Sequence, residues 1–120
     1  MRIGRDIPSR EIARLMSRLS VLEPVEERRD FRFRLVGSGW LRRFGRDVSG
    51  LRLSELYQGA SFEHYVSGLA AVLESGRPNI VDVRIKSRLR EMHHVEYVEL
   101  PVESADGAQV WALTGAFHFD

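Results

Sequence analysis

The chain contains no cysteine. Disulfides, thiolate metal sites and cysteine nucleophiles are therefore excluded, and the chain fits a reducing compartment. Lysine is almost as scarce. Lys86 is the only one, so nearly all of the 18 basic groups are arginines. No stretch approaches the roughly 20 apolar residues needed to cross a bilayer. The N-terminus, MRIGRDIPSREIARLM, lacks the apolar core of a secretion signal, so the expected location is cytoplasmic. Sequence motifs of common chemistry are missing too: there is no HExxH, no GxSxG and no P-loop. Gly37-Ser38-Gly39 is too short to be the six-residue dinucleotide fingerprint.

What is present describes one globular domain. The 120 residues are 43% hydrophobic and 29% charged, the balance of a chain that folds around a core. Net charge is only +1, but it is unevenly distributed. Residues 1–56 hold 13 arginines against 8 acids, and residues 57–120 hold 5 basic groups against 9 acids. The arginines are scattered singly and in pairs over the predicted strands and helices. That pattern fits solvated faces better than the concentrated patch of a nucleic-acid binder, and no nucleic-acid or membrane partner is expected.

Residues 8–19 read as a helix. Pro8 suits its first turn, and Ile12, Leu15, Met16 and Leu19 share one face. That face packs on the domain's own sheet, makes a dimer contact, or both. Residues 20–26 read as a strand that Pro24 confines to an edge or a bulge. In Phe31 to Gly37 the alternation places Phe31, Phe33 and Leu35 on one side and Arg32 and Arg34 on the other. Short helical turns come next over residues 39–57, punctuated by Gly45 and Gly50. A longer helix spans residues 61–75, ended by Gly76 and Pro78. Residues 80–90, 94–102 and 110–119 read as three more strands, the last two joined through Asp106-Gly107. The final strand is apolar on both faces. Such a strand belongs at the centre of a sheet covered on both sides. The order, with helices inserted between antiparallel runs, gives an α+β fold.

The run from Arg32 to Gly37, then Phe44-Gly45-Arg46-Asp47, Gly50 and Leu56, resembles a PAS domain. It is most like the small, often stand-alone PAS-like proteins of alphaproteobacteria. The likeness extends through Leu100-Pro101 and Asp106-Gly107 to Gly115. It implies a PAS-like five-stranded antiparallel sheet with helices on one face and an N-terminal helix. The division is then residues 1–19 as that helix and residues 20–120 as the PAS-like domain. It also implies that the glycine-rich stretch carries the chain over the sheet, leaving room for a small-molecule pocket. No cofactor is specified, and without cysteine a cysteinyl-flavin photosensor is excluded.

The candidate pocket residues are Phe33, Leu35, Trp40, Phe44, Leu56, Tyr57, Tyr65, Leu69 and Thr114, an apolar lining with a few polar groups. The aromatics among them, joined by Phe62, equally serve as plain core. The histidines make a poor metal site, because adjacent His93 and His94 point to opposite faces of a strand. His64 reads as solvated or hydrogen-bonded, and no carboxylate pair stands out as catalytic. The expected function is a non-enzymatic sensory or regulatory module, a homodimer that takes a small ligand or a signalling partner. With no effector segment in the sequence, its output would pass through another chain. The alternative is a small cone-shaped α+β enzyme of isomerase or hydrolase type, which a buried carboxylate on the pocket floor would favour.

Overall fold

The computed structural model describes residues 2–3, 5, 13–86 and 92–119, with side chains described for 2–3, 5, 16–82 and 96–117. Five strands form one antiparallel sheet: β1 (Leu19–Val25), β2 (Asp30–Val36), β3 (Asn79–Lys86), β4 (Met92–Glu103) and β5 (Val110–Phe119). Their spatial order is β2-β1-β5-β4-β3, which puts the doubly apolar β5 in the middle. Three helices lie between β2 and β3 in sequence: α1 (Ser38–Phe44), α2 (Leu53–Leu56) and α3 (Gly59–Ser75). Among the described residues no helix is long and apolar enough to cross a membrane.

The two faces of the sheet have separate cores. On the inner face Leu22, Phe31, Phe33 and Ala112 meet Val48, Leu53, Leu69 and Leu73 from the helical segment. On the outer face Val21, Val102 and Leu113 are covered by Ile3, Met16, Leu19, Leu100 and Trp111. The two-sided apolarity of β5 arises here, since Ala112 and Leu113 are neighbours that serve opposite cores.

The N-terminal element differs from expectation. Ala13–Arg18 is a 3-10 helix, not the end of an α-helix, and residues 8–12 lie outside those described. It runs straight into β1, where the carbonyl oxygen of Leu19 accepts from the Gly37 N–H at 2.8 Å. Of the proposed dimer-contact residues, Met16 and Leu19 pack on the chain's own outer face. Ile12 lies outside the described residues, as does the Leu15 side chain.

The alternation read in β2 breaks at a bulge. Val21 pairs with Leu35 but Leu22 pairs with Phe33, leaving Arg34 without a partner in the register. The extra residue reverses the parity of the strand beyond it. Phe31 and Phe33 point inward and are fully buried, whereas Leu35 lies on the outer side and is 39% exposed. Arg34 also faces out, its guanidinium 5.7 Å from the ring centre of Trp111.

The glycine-rich stretch seals the free edge of β2. Gly50, at φ +82°, turns the chain so that its own N–H donates to Phe33 O at 2.8 Å and the Phe33 N–H donates to Leu51 O at 2.9 Å. Asp30 fixes the start of α2, accepting from Ser54 Oγ at 2.5 Å and from the Ser54 N–H at 3.3 Å. An edge paired in this way is closed to other strands.

Candidate functional site

Aromatic rings connect the helices to the inner sheet face. Trp40 stacks on Phe44 with ring centres 6.2 Å apart. Phe44 then meets Tyr57 edge-on at 6.1 Å, and Tyr57 meets Tyr65 at 5.5 Å. Phe33 lies under this row, 6.3 Å from Trp40 and 6.0 Å from Phe44. Offset and edge-to-face contacts of this kind contribute about 0.5–1.5 kcal/mol each beyond the area they bury. Of the proposed pocket residues, Phe33, Phe44, Leu56, Tyr57, Tyr65 and Leu69 are brought together in one core cluster.

A strip of buried polar groups runs across the sheet beneath these rings. Ser20 Oγ and Thr114 Oγ1 lie 2.8 Å apart. Tyr65 also hydrogen-bonds to Thr114, and burial pushes its phenol far above the usual tyrosine range. Glu99, paired with Thr114 in the β4–β5 ladder, is buried as well. Its Oε1 accepts from Asn79 Nδ2 at 2.7 Å. Burial raises the Glu99 carboxyl above the ordinary value, opposed by the Asn79 hydrogen bond and by the charge of His64.

Beside the aromatic row, along α1, lies a cavity of about 540 Å³ that is open to solvent on one side. Its wall is made by Arg18, Gly39, Trp40, Arg42, Arg43, Tyr97 and Ala116. That volume falls in the range of small-molecule sites, ~300–1,000 Å³. Two small residues shape this wall. Ala116 takes up little space on β5, and Gly39 lets α1 pack closely on the N-terminal element, since a Cβ there would sit 2.7 Å from the carbonyl oxygen of Ser17. Trp40 is anchored by an indole N–H bond to Arg18 O at 2.8 Å. The Arg43 guanidinium lies 5.6 Å from the ring centre of Trp40 and 5.0 Å from that of Tyr97. Its charge also reaches Tyr57, whose phenol is raised by burial and held back by Arg43.

A model of the PAS domain family matches residues 3–118. The chain belongs to the PAS domain family. The PAS domain of BvgS from Bordetella pertussis superposes with a TM-score of 0.63 at 17% identity, covering 87% of this chain and 78% of that one. A PAS domain from Colwellia psychrerythraea gives 0.57 at 14% identity, with 91% and 94% covered. The light-oxygen-voltage (LOV) protein of Rhodobacter sphaeroides gives 0.55 at 19% identity, with 85% and 58% covered. At these identities the likeness is one of fold. No curated protein matches the chain.

In this PAS domain Trp40 alone among the proposed pocket residues lines the 540 Å³ cavity. Thr114 is on the inner face but bonded to Ser20. Leu35, grouped with Phe33 by simple alternation, instead lines an outer cleft of about 320 Å³ with Met16, Val21 and Leu113, because the bulge at Arg34 turned it over. Sequence reasoning missed Arg18, Arg42, Arg43 and Tyr97. The available signal was the Arg42-Arg43 pair lying between Trp40 and Phe44 in sequence.

Proposed function

We propose that this PAS domain, a sensory and regulatory module, acts without enzymatic chemistry, binds a small molecule in the cavity beside Trp40 and passes occupancy to a partner through the outer sheet face. The observation that carries this reading is the cavity itself. It joins the N-terminal element (Arg18), α1 (Trp40) and the central sheet (Tyr97, Ala116) in one wall. A ligand that prefers one arrangement of those parts shifts the equilibrium between them by its difference in affinity. The Trp40–Arg18 hydrogen bond carries that shift to the 3-10 helix, whose Met16 packs on the outer core.

A non-enzymatic role is favoured by the surroundings of the buried carboxylate. Glu99 is engaged by Asn79 and lies under Gly68 of α3, and it lines neither the cavity beside Trp40 nor the cleft around Leu35. A homodimer formed through the outer face is part of the proposal, with the 320 Å³ cleft around Leu35 as its centre.

Native mass spectrometry of freshly purified protein, with an absorption spectrum, tests the ligand. A mass excess over the chain, lost on denaturation, is the expected result; a bare chain under every purification condition counts against it. Light scattering after size exclusion tests the dimer. A monomer at high protein concentration removes that part of the reading.

A further inference from the structure

The cavity beside Trp40 has an unusual charge for an aromatic-walled site. Arg18, Arg42 and Arg43 all border it. The ion pairs formed among the described residues use Arg2, Arg29 and Arg52. None of the three cavity arginines is joined to a carboxylate among those residues. Arg18 and Arg43 are held instead by rings. Arg18 lies 5.9 Å from the ring centre of Phe117, and Arg43 lies against Trp40 and Tyr97. A guanidinium held near a ring with no carboxylate partner has N–H groups to offer, and these match a carboxylate or phosphate in two parallel hydrogen bonds. The remaining wall, Trp40, Tyr97 and Ala116, suits a flat apolar body.

We propose that this cavity binds a small organic anion, its planar apolar part beside Trp40 and Tyr97 and its carboxylate or phosphate held by Arg18, Arg42 and Arg43. The inference rests on the ligand-binding role proposed for this cavity and gives it a chemical class. It also gives the N-terminal element a part in recognition. Arg18 is the last residue of the 3-10 helix, so an anion bridging Arg18 to Arg42 and Arg43 would clamp that helix to α1.

The test uses two fluorescent probes of nearly the same shape, 1-anilinonaphthalene-8-sulfonate and neutral N-phenyl-1-naphthylamine, each titrated into the whole chain. The sulfonate is expected to bind about tenfold tighter than the neutral probe, the scale of a charge-assisted contact. Arg43→Gln, and separately the Arg18→Gln/Arg42→Gln pair, should each weaken the sulfonate about tenfold and leave the neutral probe within about twofold. All three positions are exposed, so the fold should survive, as an unchanged circular dichroism spectrum would establish. Competition with benzoate and with phenyl phosphate then tells which headgroup is preferred, and displacement by either supports the proposal. If both probes bind equally and neither responds to the arginine variants, the anion assignment is overturned while a ligand cavity stands. If neither probe binds, the anion assignment and the ligand reading fall together.

Discussion

The indole N–H of Trp40 donates to the carbonyl oxygen of Arg18 at 2.8 Å, tying the first turn of α1 to the last residue before β1. Both residues border the larger cavity, so one bond fixes two of its walls. Trp40→Phe keeps an aromatic ring but removes the donor. The expected loss is about 1–2 kcal/mol, from the hydrogen bond and the smaller ring together. The other indole makes an internal comparison. Trp111 Nε1 donates to Gln109 Oε1 at 3.0 Å in an exposed hydrogen bond, so Trp111→Phe should cost less than Trp40→Phe, about 1 kcal/mol or below, chiefly from the smaller ring on the outer core. Urea unfolding of the two variants checks the difference. Equal losses would mean that the Trp40 bond holds nothing in place.

Gly37 meets the same N-terminal element through a backbone contact. A Cβ built there would collide with the carbonyl oxygen of Met16 and come within 2.7 Å of the Ser17 carbonyl oxygen. Neither obstacle is a flexible side chain, so relief requires the 3-10 helix to move. Gly37→Ala should therefore cost about 1–3 kcal/mol, the usual range for overpacking. It should also expose the N-terminal segment to limited proteolysis before the rest of the domain. Gly45 gives the contrast. A Cβ there would meet nothing within 4 Å, so the position is demanding only through its φ of +72°. Gly45→Ala should cost about 1–2 kcal/mol by backbone strain and leave proteolysis of the N-terminus unchanged. Similar cleavage patterns in the two variants would refute the steric account.

Some of this architecture was readable from local patterns. The apolar residues on both faces of Val110–Phe119 placed it at the centre of the sheet, and Gly76 with Pro78 marked the end of α3. Both signals depend on residues adjacent in sequence. The bulge at Arg34 does not. It arises because β1 pairs with β2 on one side while residues 50–52 hydrogen-bond to its other edge, and neither constraint is written into Phe31–Val36 itself. Leu35 was misplaced for that reason. The arginine cavity was hidden similarly. Arg18, the Arg42-Arg43 pair and Tyr97 come from three distant elements, and only the completed sheet brings them to one wall.

Burial of Glu99 predicts a pH dependence of stability. Its folded-state carboxyl is raised above the ordinary value of 4.5, with burial as the largest cause. The folded chain therefore holds this proton more tightly than the unfolded chain. The resulting stabilisation is complete below the ordinary value and is lost as pH rises through the folded one. Glu99→Gln keeps an acceptor for Asn79 and removes the titration. The variant should be at least as stable as the parent at neutral pH, and the gap should close on acidification towards 4.5. Denaturation midpoints across that range measure it. A gap that does not vary with pH would show that Glu99 titrates alike in both states.

The β1–β2 turn holds three consecutive non-glycine residues in the left-handed region: Glu26 at φ 51°, Glu27 at 57° and Arg28 at 68°. Each costs roughly 1–2 kcal/mol relative to ordinary backbone. Glu26 has a visible reason, since its carboxylate meets Arg52 Nη1 at 2.7 Å and so pins the turn to the segment that closes the β2 edge. Arg28 is exposed and forms no such bond among the described residues. Arg28→Gly should therefore stabilise the domain by about 0.5–1 kcal/mol, the relieved strain less the extra chain entropy of glycine. Arg29→Gly, one residue on and outside the left-handed run, gains no relief and loses entropy, so it should destabilise. Thermal midpoints of the two variants should move in opposite directions, and a shared direction would mean that the left-handed run at Arg28 stores no strain.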